Sequence, residues 1–263
     1  MTRSYVTTQR LSKLRAALTP RQRSVLETLT RVRLASSLQL EQLHFPDVTK
    51  RQARRALGRM VQSRLILRLP RVIGGPSAGS AGYVFGLDTA GARLLQPDDQ
   101  KQRNPWNVGL PFLRHTLAVT EVYVRLVDVQ RLGYLEVRSF TSEPACWRRF
   151  TAPGGGRATL KPDAAMVVQI GSYEDRWLLE VDRGTESVST LEAKCDMVRR
   201  YWQTGTEQAT FGIFPRVLWL VPDERRQEVL AKVFDRQPAE ARQLFTVAVF
   251  DEAVTRIAQG ADV

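Results

Sequence analysis

Cysteine and histidine are scarce in this chain, and their scarcity excludes several kinds of site. The 263 residues include only two cysteines, Cys146 and Cys195, and two histidines, His44 and His115. Two thiols cannot build a disulfide framework or, alone, a structural zinc site. The two histidines fall in different predicted domains, so a metal centre built from a histidine cluster is also excluded.

Long apolar runs are missing as well. No stretch approaches the roughly 18–20 apolar residues needed to span a bilayer. The first residues, Met1 to Tyr5, lack the apolar core of a secretory signal. With 43% hydrophobic and 25% charged residues, the composition is typical of a globular protein. We therefore expect a cytoplasmic protein without a membrane partner.

Acidic residues are sparse in the N-terminal part of the chain. Residues 1–104 hold 19 Lys and Arg against 6 Asp and Glu, whereas residues 105–263 hold 20 against 21. The whole formal net charge of +12 therefore arises before residue 105. A strongly basic segment joined to a neutral one indicates a module that binds a polyanion, although a basic surface can also serve solubility alone.

Three capped helices are predicted in the basic segment. Thr19, Ser36 or Ser37, and Thr49 are the candidate N-caps, and Pro20 fits the first position of its helix. The third helix carries apolar residues at helical spacing, which are Ala53, Leu57, Met60 and Val61. A strand over 65–71, a glycine-rich loop and a strand over 83–87 follow.

This order of three helices and a β-hairpin is typical of a winged helix-turn-helix domain, which we place at residues 1–95 with a basic N-terminal arm. The third helix would enter the major groove of double-stranded DNA, and the hairpin would reach phosphates. The predicted DNA-contacting residues are Arg51, Arg54, Arg55, Arg59, Arg68 and Arg71. A small helical domain that pairs with protein instead is the alternative.

A polar segment over 96–109, broken by prolines, predicts a linker to a second domain over 110–263. The periodicity of that domain predicts an αβββαβ order and hence a mixed sheet with helices on both faces, an α+β protein overall. The predicted elements are a helix over 111–130, strands over 134–140, 159–170 and 176–182, a helix over 186–203 and a strand over 216–221. His115, on the apolar stripe of the first of these helices, is expected to be a core residue.

Acidic residues interrupt two of these apolar strands. Asp163 follows Pro162, and Glu180 and Asp182 share one face of the next strand because side chains alternate along it. Three carboxylates in a poorly solvated place require a shared proton or a divalent cation, so we predict that they bind Mg²⁺ or Mn²⁺. Pairing with arginines such as Arg176 or Arg199 is the alternative.

Pro-Asp on one strand and acid-x-acid on the next resemble the PD-(D/E)XK nuclease fold. The resemblance implies that Asp163 and Glu180 hold Mg²⁺ and that a lysine two residues after the glutamate orients water. Asp182 stands at that lysine position in this sequence. Lys194, on the following helix, is the candidate replacement, and Lys161 is a weaker one.

The chain also resembles the replication-relaxation family of plasmid and mobile-element proteins over about residues 18–222. The motifs that carry this resemblance are Leu113-Arg114-His115-Thr116-Leu117, Lys161-Pro162-Asp163, Glu180-Val181-Asp182-Arg183-Gly184-Thr185-Glu186, and Leu191 and Lys194 with Tyr201. In outline it is similar to mobilisation relaxases that join a helix-turn-helix to a restriction-nuclease-like domain. The resemblance implies nicking or strand processing at a plasmid origin.

Two functions follow from these patterns. In the first, the protein is an Mg²⁺-dependent DNA endonuclease, a relaxase-like nickase whose catalytic residues are Asp163, Glu180, Asp182 and Lys194. In the second, it is a non-catalytic DNA-binding regulator or replication initiator whose nuclease-like domain serves homodimer formation or binds other mobilisation or replication proteins. A tyrosine nucleophile, Tyr5 or Tyr201, lacks a supporting constellation. Either function places the protein with nucleoid or plasmid DNA in the cytoplasm.

Overall fold

A computed structural model describes residues 6–69, 82–95, 109–152 and 154–260. The chain has a mixed α and β architecture and forms two compact units, residues 1–124 and 125–263. The division between the units lies inside one long helix, Leu110–Arg131. The predicted linker lies almost entirely outside the described residues, so the domain boundary at 96–109 stays a prediction.

Among the described residues, the first unit contains five helices, a three-stranded antiparallel sheet and the start of the long helix. Its elements are α1 (Thr8–Ala17), α2 (Pro20–Val32), β1 (Leu34–Ser36), α3 (Ser37–His44), α4 (Lys50–Gln62), β2 (Ile66–Arg68), β3 (Val84–Leu87), α5 (Thr89–Leu95) and α6 (Leu110–Arg131). The sheet order is β1-β3-β2. β1 was not predicted, because three residues are too few to show a strand period.

The predicted N-caps are confirmed for the three helices that follow the N-terminal arm. Thr19, Ser36 and Thr49 each accept a hydrogen bond from the backbone N–H three residues later, and each receives a reciprocal glutamine contact. The segment predicted as a basic arm forms α1, whose residues are all at least partly exposed.

The second unit is built on a five-stranded mixed sheet of order β10-β9-β8-β7-β4. Its elements are β4 (Glu136–Ser142), β5 (Arg148–Thr151), β6 (Arg157–Leu160), β7 (Ala164–Ile170), β8 (Tyr173–Val181), α7 (Val188–Trp202), α8 (Thr206–Phe211), β9 (Arg216–Val221), α9 (Glu224–Asp235), α10 (Ala239–Arg242), β10 (Phe245–Val249), a 3₁₀ turn (Phe250–Glu252) and α11 (Ala253–Ala258). β4, β7 and β8 run antiparallel, and β8, β9 and β10 run parallel.

The predicted strands and helices of this unit are present in their predicted order, with an additional hairpin, β5–β6, before β7. The segment 159–170 was predicted to contain one strand and instead contributes to both β6 and β7, separated around Pro162. α7 and α9 pack on each other. A buried cluster from both helices and from β8 and β9 covers one face of the sheet; it includes Leu178, Leu191, Val198, Trp219 and Leu230.

Candidate functional site

Asp163 lies immediately before β7, at the end of the sheet where that strand begins. Its backbone N–H donates to the carbonyl oxygen of Leu179 (2.9 Å), and its Oδ2 accepts from the backbone N–H of Val181 (2.7 Å). The residue is buried, with 9% of its surface exposed. These two contacts hold the Asp163 carboxylate beside the last residues of β8, where Glu180 lies.

Glu180 is buried and meets a lysine from α7. Lys194 Nζ lies 3.1 Å from Glu180 Oε2. Burial and, to a smaller extent, the negative charge of Asp163 raise the pKa of Glu180, and the Lys194 ammonium lowers it; the net result is a pKa of about 8. Although burial lowers the pKa of Lys194, the surrounding carboxylates Glu180, Glu186 and Asp163 together raise it above its usual value. The structure therefore brings three of the four predicted catalytic residues, Asp163, Glu180 and Lys194, into one electrostatic cluster.

Glu186 is a fourth member of this cluster that sequence reasoning missed. Lys194 Nζ donates to Glu186 Oε1 (2.8 Å), so the ammonium is shared between Glu186 and Glu180. Glu186 Oε2 is buried and has no hydrogen-bond partner among the described residues. The available signal was its place at the end of the Glu180 to Glu186 motif, eight residues before Lys194 and just ahead of α7.

Asp182 does not join this cluster, which corrects the prediction of three metal-binding carboxylates. Its fully buried side chain forms an ion pair with Arg226 of α9, and its Oδ1 accepts from the backbone N–H of Gly184 (2.8 Å). Arg226 Nη2 also donates to the backbone carbonyl of Glu186 (2.8 Å). Within the described ranges, no group of three or more His, Cys, Asp or Glu is arranged to hold a metal ion.

The Asp182–Arg226 contact explains why this acid is tolerated in an apolar strand end. A buried carboxylate is costly unless it is neutralised and hydrogen-bonded, and Arg226 with Gly184 does both. By binding both Asp182 and the carbonyl of Glu186, Arg226 closes the loop between β8 and α7. Asp182 is therefore a residue that shapes the loop carrying Glu186.

Asp163 and Glu180 are the carboxylates of this cluster that could hold a divalent cation. Asp163 and Glu180 supply carboxylate oxygens, the ligand type that Mg²⁺ and Mn²⁺ prefer. The raised pKa of Glu180 reflects burial and a like charge, and a cation would relieve both. Further ligands would come from water or a phosphate, since Mg²⁺ usually keeps several waters in protein sites.

In the first unit, the predicted DNA-contacting arginines of α4 lie together on its exposed face. Arg51, Arg54, Arg55 and Arg59 are exposed, while Ala53, Leu57 and Met60 face the core. Arg54 Nε lies 3.9 Å from Glu41 Oε1, a loose contact that leaves the arginine side chain 71% exposed.

The hairpin supplies one more exposed arginine. Arg68, at the end of β2, lies over the ring of Tyr83, 4.3 Å from its centroid. Arg71 lies outside the described residues, as does Tyr5.

A family model described as replication-relaxation matches residues 26–217, nearly three quarters of the chain. The chain belongs to the replication-relaxation family. No curated protein and no solved structure matches it significantly. The matched range contains Asp163, Glu180, Asp182, Glu186 and Lys194, whereas Arg226 lies beyond it.

Tyr201 and Lys161, two further residues considered from the sequence, each contact a neighbouring side chain. Tyr201 is buried and its hydroxyl donates to Glu207 Oε1 (2.8 Å). Burial, with the negative charge of Glu207, raises its pKa, so Tyr201 is a poor nucleophile. Lys161 Nζ lies over the ring of Trp147, 5.0 Å from its centroid.

Both thiols are buried, and His44 is held by two hydroxyls. Both cysteines are free, and burial raises the pKa of each to about 12. Both ring nitrogens of His44 lie within hydrogen-bond distance of hydroxyls of α2, Ser24 Oγ and Thr28 Oγ1. His115 lies on α6 and is half-buried.

No helix in the described ranges is both long and apolar enough to cross a membrane.

Proposed function

We propose that this replication-relaxation protein is an Mg²⁺- or Mn²⁺-dependent DNA endonuclease that nicks DNA of a plasmid or mobile element. The observation that carries the proposal is the 3.1 Å contact between Lys194 Nζ and Glu180 Oε2, beside Asp163. Two buried carboxylates and one ammonium lie together here, the set that the resemblance to PD-(D/E)XK nucleases implies, although the lysine comes from α7 and not from the strand.

The second unit would be a restriction-endonuclease-like domain. Its element order around β4, β7, β8, α7 and β9, with β8 and β9 parallel, supports this interpretation. In such a domain Asp163 and Glu180 would bind the cation. When bound, a divalent cation supplies a more acidic water and neutralises charge on the scissile phosphate.

The residues of this chain have separate tasks in the proposed reaction. Lys194 stabilises negative charge as water attacks phosphorus and the bridging P–O bond to the leaving oxygen breaks. Because Glu180 and Glu186 both hold its ammonium, Lys194 keeps its place before DNA arrives. Arg226 contributes by closing the loop that positions Glu186.

The first unit would be the DNA-binding module, a winged helix-turn-helix. The exposed arginines of α4 and Arg68 on the hairpin support this proposal, as does the excess of positive charge before residue 105. Duplex DNA would meet α4 in its major groove.

Conversion of supercoiled plasmid to open circles in Mg²⁺ or Mn²⁺ tests the enzymatic proposal. We expect nicking by the wild-type protein and its loss, by roughly a hundredfold or more, in Asp163→Ala and Lys194→Met. Glu192→Gln is the matched control, because Glu192 lies on α7 in an exposed ion pair with Arg236. Equal nicking by wild type and Asp163→Ala would reject the enzymatic proposal.

A specific observation favours the second candidate function, a DNA-binding regulator or replication initiator without catalysis. Asp182, at the position of the motif lysine, forms an ion pair with Arg226, and Lys194 already contacts two carboxylates. In that case the second unit would serve homodimer formation or bind other mobilisation or replication proteins. DNA binding without divalent-dependent nicking, together with a dimer in sedimentation, is the result expected for this candidate.

A further inference from the structure

Two glycines occupy helix interiors in the described part of the chain, and their surroundings differ. Gly91, in α5, is required by packing, since a Cβ there would clash with the backbone carbonyl of Leu65. Gly58, in the middle of α4, is exposed, and a Cβ there would meet no described atom within 4 Å. Glycine weakens a helix relative to alanine. Packing within the first unit therefore does not explain why glycine, which makes α4 less stable, occupies position 58.

Gly58 lies at the centre of the basic face of α4. Arg54 and Arg55 precede it by one turn, and Arg59 and Gln62 follow. A groove between α4 and the hairpin is lined by Arg54, Gly58 and Gln62 on one side and by Arg68 and Tyr83 on the other, with the apolar side chains of Leu57, Val61 and Phe85 between them. The missing side chain thus leaves the helix backbone open in a groove that Arg54 and Arg68 flank.

We infer that Gly58 is a contact position for DNA, where one sugar–phosphate strand enters this groove and approaches the backbone of α4 more closely than a side chain would permit. The inference rests on the proposed DNA-binding function and extends it to a residue without charge or hydrogen-bonding side chain. The charge of the groove selects the occupant: Arg54 and Arg68 flank it, and phosphates are their complementary partners. Arg68 is held by its contact with Tyr83 and needs little reordering to meet a phosphate.

Gly58→Ala tests this inference because stability and binding should change in opposite directions. The free protein has room for the methyl group, so we expect the thermal unfolding midpoint to rise by roughly 2 to 8 °C. Binding of a labelled mixed-sequence DNA duplex, measured by fluorescence anisotropy, should weaken by roughly five- to a hundredfold, because the methyl occupies space that the strand uses. Gly58→Leu should weaken binding further.

The dependence of affinity on salt separates this steric effect from a loss of charge. Gly58→Ala removes no cation, so the slope of log K against log [salt] should match that of wild type. Arg54→Ala should reduce that slope by about one unit. Gly91→Ala is the control for the glycine substitution itself and should lower the unfolding midpoint.

Each result of this experiment decides between the proposals. If Gly58→Ala is more stable and binds DNA as well as wild type, while Arg54→Ala binds less tightly, the inference about Gly58 is wrong and DNA binding stands. If Gly58→Ala is less stable than wild type, the open space that motivates the inference is absent. If the wild-type protein binds no duplex, the proposed DNA-binding function fails and the inference fails with it.

Discussion

Lys194 on α7 and Glu180 on β8 are 14 residues apart in sequence, and their side chains meet at 3.1 Å. The ammonium group that contacts the carboxylate at the end of β8 therefore comes from a helix. The strand position two residues after Glu180 is occupied by Asp182, which is engaged by Arg226.

Replacing Glu180 by Gln should change the pH dependence of stability. The pKa of Glu180 is raised to about 8 from an ordinary value of 4.5, so the folded state binds more protons than the unfolded state between these values. The contribution of Glu180 to stability is therefore complete below pH 4.5 and declines as pH rises through 8. Glu180→Gln should match wild type near pH 4 and be more stable near pH 8, by up to roughly 4 kcal/mol.

Thermal unfolding of the two proteins at a series of pH values measures this difference. Glu192→Gln, an exposed change on α7, should run parallel to wild type throughout. If the unfolding midpoints of Glu180→Gln and wild type change with pH in parallel, burial does not destabilise the ionised form of Glu180.

Replacing Arg226 by Met should lower stability sharply. The fully buried Asp182 carboxylate would lose its ion-pair partner, which costs about 3–5 kcal/mol in comparable sites. Replacing both residues, with Asp182→Asn in the same chain, should cost less than Arg226→Met alone, because no uncompensated charge remains. Chemical denaturation of the single and double variants gives the coupling energy, and simple additivity would mean that the two side chains do not interact.

Tyr201→Phe should retain nicking activity in this account. Tyr201 is buried and donates to Glu207, which also accepts from Arg148 Nε (2.8 Å). Loss of the hydroxyl should cost about 1 kcal/mol of stability, since Glu207 keeps its arginine. Plasmid nicking by the variant provides the measurement, with denaturation as its companion. Complete loss of nicking in a folded Tyr201→Phe protein would indicate a covalent tyrosine mechanism instead.

Replacing Arg54 and Arg55 together by Ala should weaken duplex binding and flatten its salt dependence by about two units of slope. Both side chains are exposed on α4 and contribute charge without supporting the core. Arg236→Ala is the control, because this exposed arginine lies in the second unit and pairs with Glu192. Unchanged affinity and slope in the double variant would move the DNA-binding surface away from α4.

Local signals made much of this structure predictable. Thr19 and Thr49 were identified as N-caps because their partners, Gln22 and Gln52, lie three residues away in each case. The strand alternation that places Leu178 and Glu180 on one face is similarly local. The β5–β6 hairpin was missed because both of its strands are short and partly exposed.

Long-range partners were not predictable in the same way. Asp182 and Arg226 are 44 residues apart, and no pattern in either segment indicates that α9 will cover the end of β8. The sequence therefore supported three equivalent carboxylates, whereas in the fold Asp182 pairs with Arg226 and Glu180 with Lys194. Glu186 was visible within its motif, but its contact with Lys194 depends on the loop that Arg226 closes.

Calorimetric titration with Mn²⁺ tests the central claim most directly, because it requires neither a known DNA sequence nor catalysis. The account predicts a saturable heat for the wild-type protein that is retained in Glu192→Gln and lost in Asp163→Asn and Glu180→Gln, with all variants folded. Equal Mn²⁺ binding by wild type and Glu180→Gln, or no binding by the wild-type protein, would contradict it.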